Sequence, residues 1–174
     1  MNWTELITAE IERTYRITDG LFDLVDDNTL GWKPSPENNW MTTGQILMHL
    51  TNACGAGMRG FVTGDWGLPA GMELSDMSPE NMLPSADKLP SVGSVAEAKK
   101  LLAADKQVAL DMLAQSGEDR LQNDAAGAPW DPRKLNLGYR LLQMVDHLSQ
   151  HKSQLFYYLK LQGKPVNTGH LWGE

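Results

Sequence analysis

The sequence contains little cysteine and has no long apolar run. Its one cysteine, Cys54, excludes an internal disulfide and favours a reducing compartment. No stretch approaches the roughly 18 consecutive apolar residues that a membrane-spanning helix needs. The N-terminal segment is acidic and amphipathic, unlike a signal peptide, so we expect a cytoplasmic protein.

Positive charge is also scarce. Lysine and arginine number 15 against 22 aspartates and glutamates, which gives a formal net charge of −7. A nucleic-acid partner needs a basic surface, and so does docking on anionic lipid. We therefore expect neither nucleic acid nor membrane as a partner, and a small-molecule substrate instead. The length of 174 residues, 41% of them hydrophobic, fits a single domain over 1–174 with a sizeable core.

Strand signals are few, whereas helical periodicity is frequent. No run combines β-branched residues with strict alternation and hairpin turn signals. Helical period and end signals predict helices over 3–26, 43–63, 95–116 and 137–162. The predicted N-caps are Asn2, Thr42, Ser94 and Asn136, and the predicted terminating glycines are Gly64, Gly117 and Gly163. The fold class is therefore all-α, a four-helix bundle with long inter-helix loops.

Two connections are longer than a compact bundle requires. They cover residues 65–93 and 118–135, and loops over about 12–15 residues are uncommon unless they are functional or partly structured. Ser78 followed by Pro79 predicts the start of a short helix in the first connection. Trp66 and Trp130 either cover a pocket or only anchor the loops.

Histidine is scarce, yet two of the four histidines lie four residues apart on a predicted helix. His147 and His151 can aim their rings at one point, because positions i and i+4 are neighbours on a helix surface. His49 lies on the inward stripe of the second predicted helix, so the three side chains could meet. A buried histidine is more often an ordinary core residue than a ligand, and the pair alone is a modest signal. The spacing of the histidines alone does not distinguish a metal site from a plain helical core.

Other candidates have a structural explanation of equal weight. Cys54 lies about 140° around the helix from His49, so it is interpreted as a small buried residue. His170 follows the last predicted helix and is interpreted as tail packing or surface. Gln45, Gln143 and Tyr158 each lie one or two turns from a histidine, where they could orient a ligand or a bound water or lie on the surface.

Two segments resemble the DinB/YfiT-like superfamily of four-helix-bundle metalloproteins. They are "TTGQILMHLTNA" and "MVDHLSQHKSQLFYYLKLQGKP", and the closing "GHLWGE" is similar to the aromatic tail of many members. The resemblance covers nearly the whole chain and implies a metal triad of His49, His147 and His151. It also implies a homodimer. The aromatic run Phe156, Tyr157 and Tyr158 favours a homodimer too, because it has more aromatic surface than one bundle face can bury.

Three histidine ligands leave a coordination position open, where a divalent ion can activate a water or hold a small thiol. The resemblance favours a metal-dependent transferase that uses a low-molecular-weight thiol, with zinc or nickel as the metal. Hydrolysis of an ester or amide is an alternative. Two further alternatives are a non-catalytic binding or stress-related module in which the metal is structural, and a helical interaction protein without metal.

Overall fold

A computed structural model describes residues 1–68, 71–72 and 84–173. As the sequence predicts, the chain is mostly helical. The helices are α1 (Trp3–Phe22), α2 (Thr43–Leu50), α3 (Gly55–Thr63), α4 (Val95–Asn123), α5 (Leu137–Leu161) and α6 (Thr168–Trp172), with short 3₁₀ turns at Asp27–Thr29 and Ala86–Lys88. The strands are β1 (Ala125–Ala128) and β2 (Asp131–Asn136). Within the described ranges, no helix is both long and apolar enough to cross a bilayer.

The long helices pack as a bundle around one apolar core. α1 lies against α4 and α5, α3 lies against α4, and α2 lies against α5. The inward stripe predicted for α1 is buried, with Ile7, Ile11 and Leu21 all at most 1% exposed. The second helix of the bundle is therefore the α2–α3 pair, and it lies between α4 and α5.

The predicted N-caps are present at the helix ends. Asn2 forms a reciprocal capping box with Glu5, and Asn136 accepts a hydrogen bond from the Tyr139 amide at 2.9 Å. At α4 the predicted N-cap Ser94 forms only half of a capping box with Glu97. Ser94 accepts from the Glu97 amide, but the Glu97 carboxylate accepts from the Gly93 amide at 2.6 Å instead.

The N-terminus of α1 has a second cap that comes from the C-terminal part of α4. Both Glu118 carboxylate oxygens accept from α1, from the Trp3 and Thr4 amides at 2.9 Å each. The Thr4 hydroxyl donates to the same carboxylate at 2.8 Å. These hydrogen bonds hold the pKa of Glu118 below its usual value, so the carboxylate stays charged opposite the positive end of the helix dipole.

One predicted helix ends earlier than expected, and another is interrupted. α1 stops at Phe22 rather than at residue 26, because the amides of Leu24 and Val25 turn to i−3 carbonyls and tighten the last turn. The helix predicted over 43–63 is interrupted at residues 51–54, which separate α2 from α3. Gly64 ends α3 in the left-handed conformation, with φ of 79°.

The prediction of a loop over 118–135 is wrong. Gly117 has φ of 67° and interrupts α4, but the helix resumes and continues to Asn123. β1 and β2 then form an antiparallel hairpin with an irregular register between Ala126 and Ala128. The short helix predicted at residue 78 lies outside the described residues.

Arg140 of α5 fixes this hairpin against the bundle. Its side chain is 1% exposed, and it donates from Nε to the Ala126 carbonyl at 3.1 Å and from Nη1 to the Asp131 carboxylate at 3.2 Å. Nη2 donates to the Arg133 carbonyl. The guanidinium also lies 5.9 Å from the centre of the Phe61 ring. A hairpin without strand-forming residues is therefore held by a side chain from outside it.

The aromatic run on α5 is largely buried by the chain itself. Phe156 and Tyr158 are 3% and 2% exposed, whereas Tyr157 is 60% exposed. The interpretation that this run exceeds what one bundle can bury is therefore wrong for Phe156 and Tyr158. The homodimer stays a prediction, and it now depends on the family resemblance rather than on this run.

Candidate metal centre

The fold brings His49, His147 and His151 together, and we call them the histidine triad. One ring nitrogen from each lies within 4.8 Å of the others. His49 comes from α2, and the other two lie one turn apart on α5. Buried neighbours on the same stripes, Leu50 and Leu148, turn these helix faces toward each other, while the triad itself is half-buried.

Two rings of the triad are held through Nδ1. His147 Nδ1 donates to the Ala53 carbonyl at 3.0 Å, and His151 Nδ1 donates to the Gln154 side-chain oxygen at 2.9 Å. Because carbonyl oxygens only accept, the proton of each neutral ring is on Nδ1. The Nε2 lone pairs are therefore free, and a partner on the second ring nitrogen is what metal-binding histidines usually have.

The spacing of the free nitrogens suits a small ion. His49 Nε2 and His147 Nε2 lie 3.3 Å apart. Two nitrogens bound at about 2.0–2.1 Å to one tetrahedral ion are roughly 3.3–3.4 Å apart, so this distance matches one edge of the tetrahedron. Without an ion, the same distance allows His49 Nε2–H to donate to the His147 lone pair. The triad is therefore able to hold a metal ion.

Burial keeps two rings of the triad neutral, which is the protonation state that binds a cation. It lowers the pKa of His49 to about 4, with further contributions from His151 and His147. The pKa of His151 is also lowered, mainly by burial. Both rings are thus neutral near pH 7, which is the form that binds a metal.

No cysteine or carboxylate of the described residues joins the triad in a larger group of metal-binding side chains. Cys54 is fully buried, and burial raises the pKa of its thiol, in agreement with its interpretation as a core residue. His170 is exposed on α6 and its ring contacts Asn167, so it lies outside the site as predicted.

A cavity of about 770 Å³ opens beside the triad. It is lined by His49 and His147, by Gln143 and Asp146 of α5, and by Trp130 and Arg133 of the hairpin. This volume is in the range of small-molecule sites. A ligand in the cavity would therefore have direct access to the triad.

The hairpin places an aromatic side chain, that of Trp130, in the lining of the cavity. Trp130 is 53% exposed and lines the cavity, and its ring meets Trp66 edge-on at 5.8 Å between centroids. Phe61 meets Trp66 at 5.0 Å in the same way. Of the two predicted loop tryptophans, Trp130 therefore faces the cavity and Trp66 supports it.

Of the three residues that could orient a ligand, Gln143 lines the cavity, while Gln45 and Tyr158 bond to backbone carbonyls. Gln45 completes the α2 capping box and donates to the Ala86 and Leu89 carbonyls. Tyr158 donates to the Met41 carbonyl at 2.9 Å, and Gln143 accepts from Arg140 at 3.0 Å while lining the cavity.

The residues that hold the triad rings, Ala53 and Gln154, were not anticipated from sequence. Gln154 had a usable signal, because a glutamine three residues after a helical histidine lies on the same face. A backbone carbonyl such as that of Ala53 gives no signal in a sequence.

In this bundle, one histidine of α2 meets two histidines of α5. This arrangement defines a class of candidate metalloproteins. The chain belongs to the DinB superfamily, whose family model matches residues 10–155. Neither a curated protein nor a solved structure matches the chain. The predicted family and the predicted helical fold are thereby confirmed, and the family is one associated with metals.

Proposed function

We propose that this protein is a metal-dependent enzyme that transfers a low-molecular-weight thiol to a small electrophile. His49, His147 and His151 would hold one divalent transition-metal ion, zinc or nickel. The observation that carries this proposal is that the Nε2 atoms of His49 and His147 lie 3.3 Å apart while both residues line a cavity of about 770 Å³. Buried helix-pinning sites instead use four protein ligands and have no room for a substrate.

The ion would supply Lewis-acid chemistry, because it lowers the pKa of a water or thiol that occupies its open position. The chain supplies the geometry. The Ala53 carbonyl and the Gln154 amide fix the rings of His147 and His151, so the ligand set is preorganised before any substrate enters. The triad is half-buried, and two of its members line the cavity.

The cavity wall suggests the kind of electrophile. Trp130 presents a half-exposed aromatic face, and Arg133 has a 75% exposed side chain at the cavity. The Arg133 guanidinium holds the pKa of Asp131 below its usual range, so this pair stays charged. An electrophile with an apolar body and a polar or anionic end fits such a wall.

We expect a thiol to bind directly at a metal in this site. Cobalt-loaded protein mixed with glutathione, bacillithiol or mycothiol should develop a near-ultraviolet charge-transfer band, because a thiolate ligand donates charge to the cobalt ion. The same mixtures with a test electrophile should then form the thioether faster than metal-free protein does. Absorption spectra and product formation measure the two steps separately.

His49→Ala is the control, because it removes the α2 ligand and leaves the α5 pair in place. The variant should show neither the band nor the product. If no thiol changes the wild-type cobalt spectrum but esters or amides are cleaved, the site is a hydrolase. If no thiol binds and nothing is turned over above the control, a non-catalytic binding module replaces the enzyme.

Removal of the metal should leave the helical fold in place. The apolar core lies along the whole bundle and the triad is only half-buried, so folding should not depend on the ion. We expect chelator-treated protein to keep its helical circular dichroism at 25 °C and to lose activity. Thermal unfolding with and without chelator measures this, and unfolding on metal removal would identify a structural pin instead.

The remaining proposals depend on composition and resemblance. A homodimer and a cytoplasmic location are proposed on that basis, and a small molecule is the proposed substrate. The homodimer would leave the cavity accessible if it forms on another face of the bundle.

A further inference from the structure

The break between α2 and α3 exposes a backbone carbonyl that an unbroken helix would use internally. In a continuous helix the amides of Gly55, Ala56 and Gly57 would donate to the carbonyls of residues 51, 52 and 53. Here α2 ends at Leu50 and α3 begins at Gly55, and helical i−4 bonding resumes only with Met58 donating to the Cys54 carbonyl. The Ala53 carbonyl is thereby free, and it accepts from His147 Nδ1 at 3.0 Å.

Asp105 of α4 holds this break open. Its side chain is 6% exposed, and its Oδ2 accepts from the Gly55 amide at 3.0 Å. Its Oδ1 accepts from the Ala56 amide, also at 3.0 Å. The carboxylate thus accepts from the two amides that an unbroken helix would direct to the carbonyls of residues 51 and 52. It also caps α3, because the N-cap residue Cys54 makes no side-chain hydrogen bond to the helix.

The approach of α4 to this point requires a residue without a side chain. A Cβ at position 55 would collide with the Asp105 carbonyl oxygen and with its carboxylate. Gly55 therefore permits close contact between the two backbones. Tyr15 of α1 donates its hydroxyl to Asp105 Oδ2 at 2.6 Å, a third hydrogen bond to a carboxylate that the two backbone amides of α3 already hold.

We infer that Asp105 is a positioning residue for His147, acting through the α2–α3 break and the Ala53 carbonyl. Asp105 is neither a member of the triad nor one of the residues that line the cavity. It holds the Gly55 and Ala56 amides, these fix the path of residues 51–54, and the Ala53 carbonyl fixes the proton of His147 on Nδ1. The effect on metal binding rests on the proposed function, whereas the effect on the His147 ring does not.

The test compares Asp105→Asn with Tyr15→Phe in the full-length protein. Asparagine keeps the shape but offers one acceptor oxygen, so at least one backbone amide of α3 faces its NH₂ group. Phenylalanine removes a hydrogen bond to the same carboxylate and leaves both backbone bonds in place. Comparison of the two variants therefore distinguishes loss of the break between α2 and α3 from a general loss of stability around Asp105 and Tyr15.

Ring ¹⁵N–¹H spectra of the metal-free proteins give the first readout. Wild-type His147 should show the Nδ1–H tautomer, and D105N should shift it or mix in the Nε2–H form. His151 should not change, because Gln154 on its own helix holds it. Y15F should leave both rings as in the wild type. An unchanged His147 ring in folded D105N overturns the inference.

Zinc titration against a chromophoric chelator gives the second readout. D105N should bind zinc roughly 10–100-fold more weakly, as expected when the partner of a histidine ligand is lost. Y15F should bind close to the wild type, and equal weakening in both variants overturns the inference. A wild type that binds no zinc while the His147 ring still responds to D105N refutes the proposed function alone.

Asp105→Glu is the second variant if D105N does not fold. It keeps the charge and displaces the carboxylate by one methylene, so the same change at His147 is expected. A D105E protein that is folded by circular dichroism and has a wild-type His147 ring overturns the inference.

Discussion

Replacing His151 with alanine should remove most of the metal from the purified protein. The triad has no fourth protein ligand among the described residues, so loss of His151 leaves only two. Loss of an outer partner of a ligand already costs roughly 10–100-fold in affinity, and loss of a ligand should cost at least that much. Elemental analysis of untagged wild type should give about one ion per chain, and H151A should give a small fraction of it.

The chain offers a matched control in His170. This histidine is exposed on α6, and its ring contacts Asn167 instead of the triad. His170→Ala removes an imidazole without touching the site, so its metal content should equal that of the wild type. Equal metal content in H151A and H170A would refute the triad as a metal site.

Replacing Arg140 with methionine should have the largest effect on stability. Methionine keeps an apolar stem but leaves the Ala126 and Arg133 carbonyls, as well as a carboxylate oxygen of Asp131, without this donor. Removal of one partner from a buried charged network commonly costs about 3 kcal/mol or more. For a chain of this length, that corresponds to a fall in Tm of roughly 6–12 °C. Urea and thermal unfolding measure the loss, and proteolysis should cut first within residues 125–136.

Arg133→Met is the matched control for this prediction. Arg133 pairs with the same carboxylate, at 2.9 Å, but its side chain is 75% exposed. Exposed ion pairs contribute little to stability, so this variant should unfold close to the wild-type midpoint. If both variants lose equal stability, or if proteolysis of R140M starts elsewhere, Arg140 does not anchor the hairpin.

The sequence was sufficient for the features that depend on local chemistry. Helix starts at Asn2, Thr42 and Asn136 were predictable because each cap bonds an amide within three residues. The pairing of His147 with His151 was predictable for the same reason, since a helix fixes the i, i+4 relation. The inward stripe of the second helix made a meeting with His49 possible, and the family resemblance was needed to choose it, because that contact crosses 98 positions.

Features imposed by distant side chains were not predictable. The break at residues 51–54 depends on Asp105, about 50 positions along the chain, and its own residues give no breaker signal beyond Gly55. The hairpin has alanine and glycine in β1 and a proline in β2, which are poor strand formers. In addition to its own antiparallel pairing, it receives hydrogen bonds to both strands from Arg140 of the neighbouring helix.

The Glu118 cap has a consequence for the order of folding. It lies 115 positions after Trp3, so it does not exist while the first helix leaves the ribosome. At roughly 5–20 residues per second, synthesis of the intervening chain takes about 6–23 s. During that interval α1 has only its local Asn2–Glu5 cap and lacks its packing against α4, and tertiary packing supplies most of the stability of a helix in a protein. The first turn of α1 therefore gains this second cap only after residue 118 has been synthesised, so α1 is completed only once α4 has packed against it.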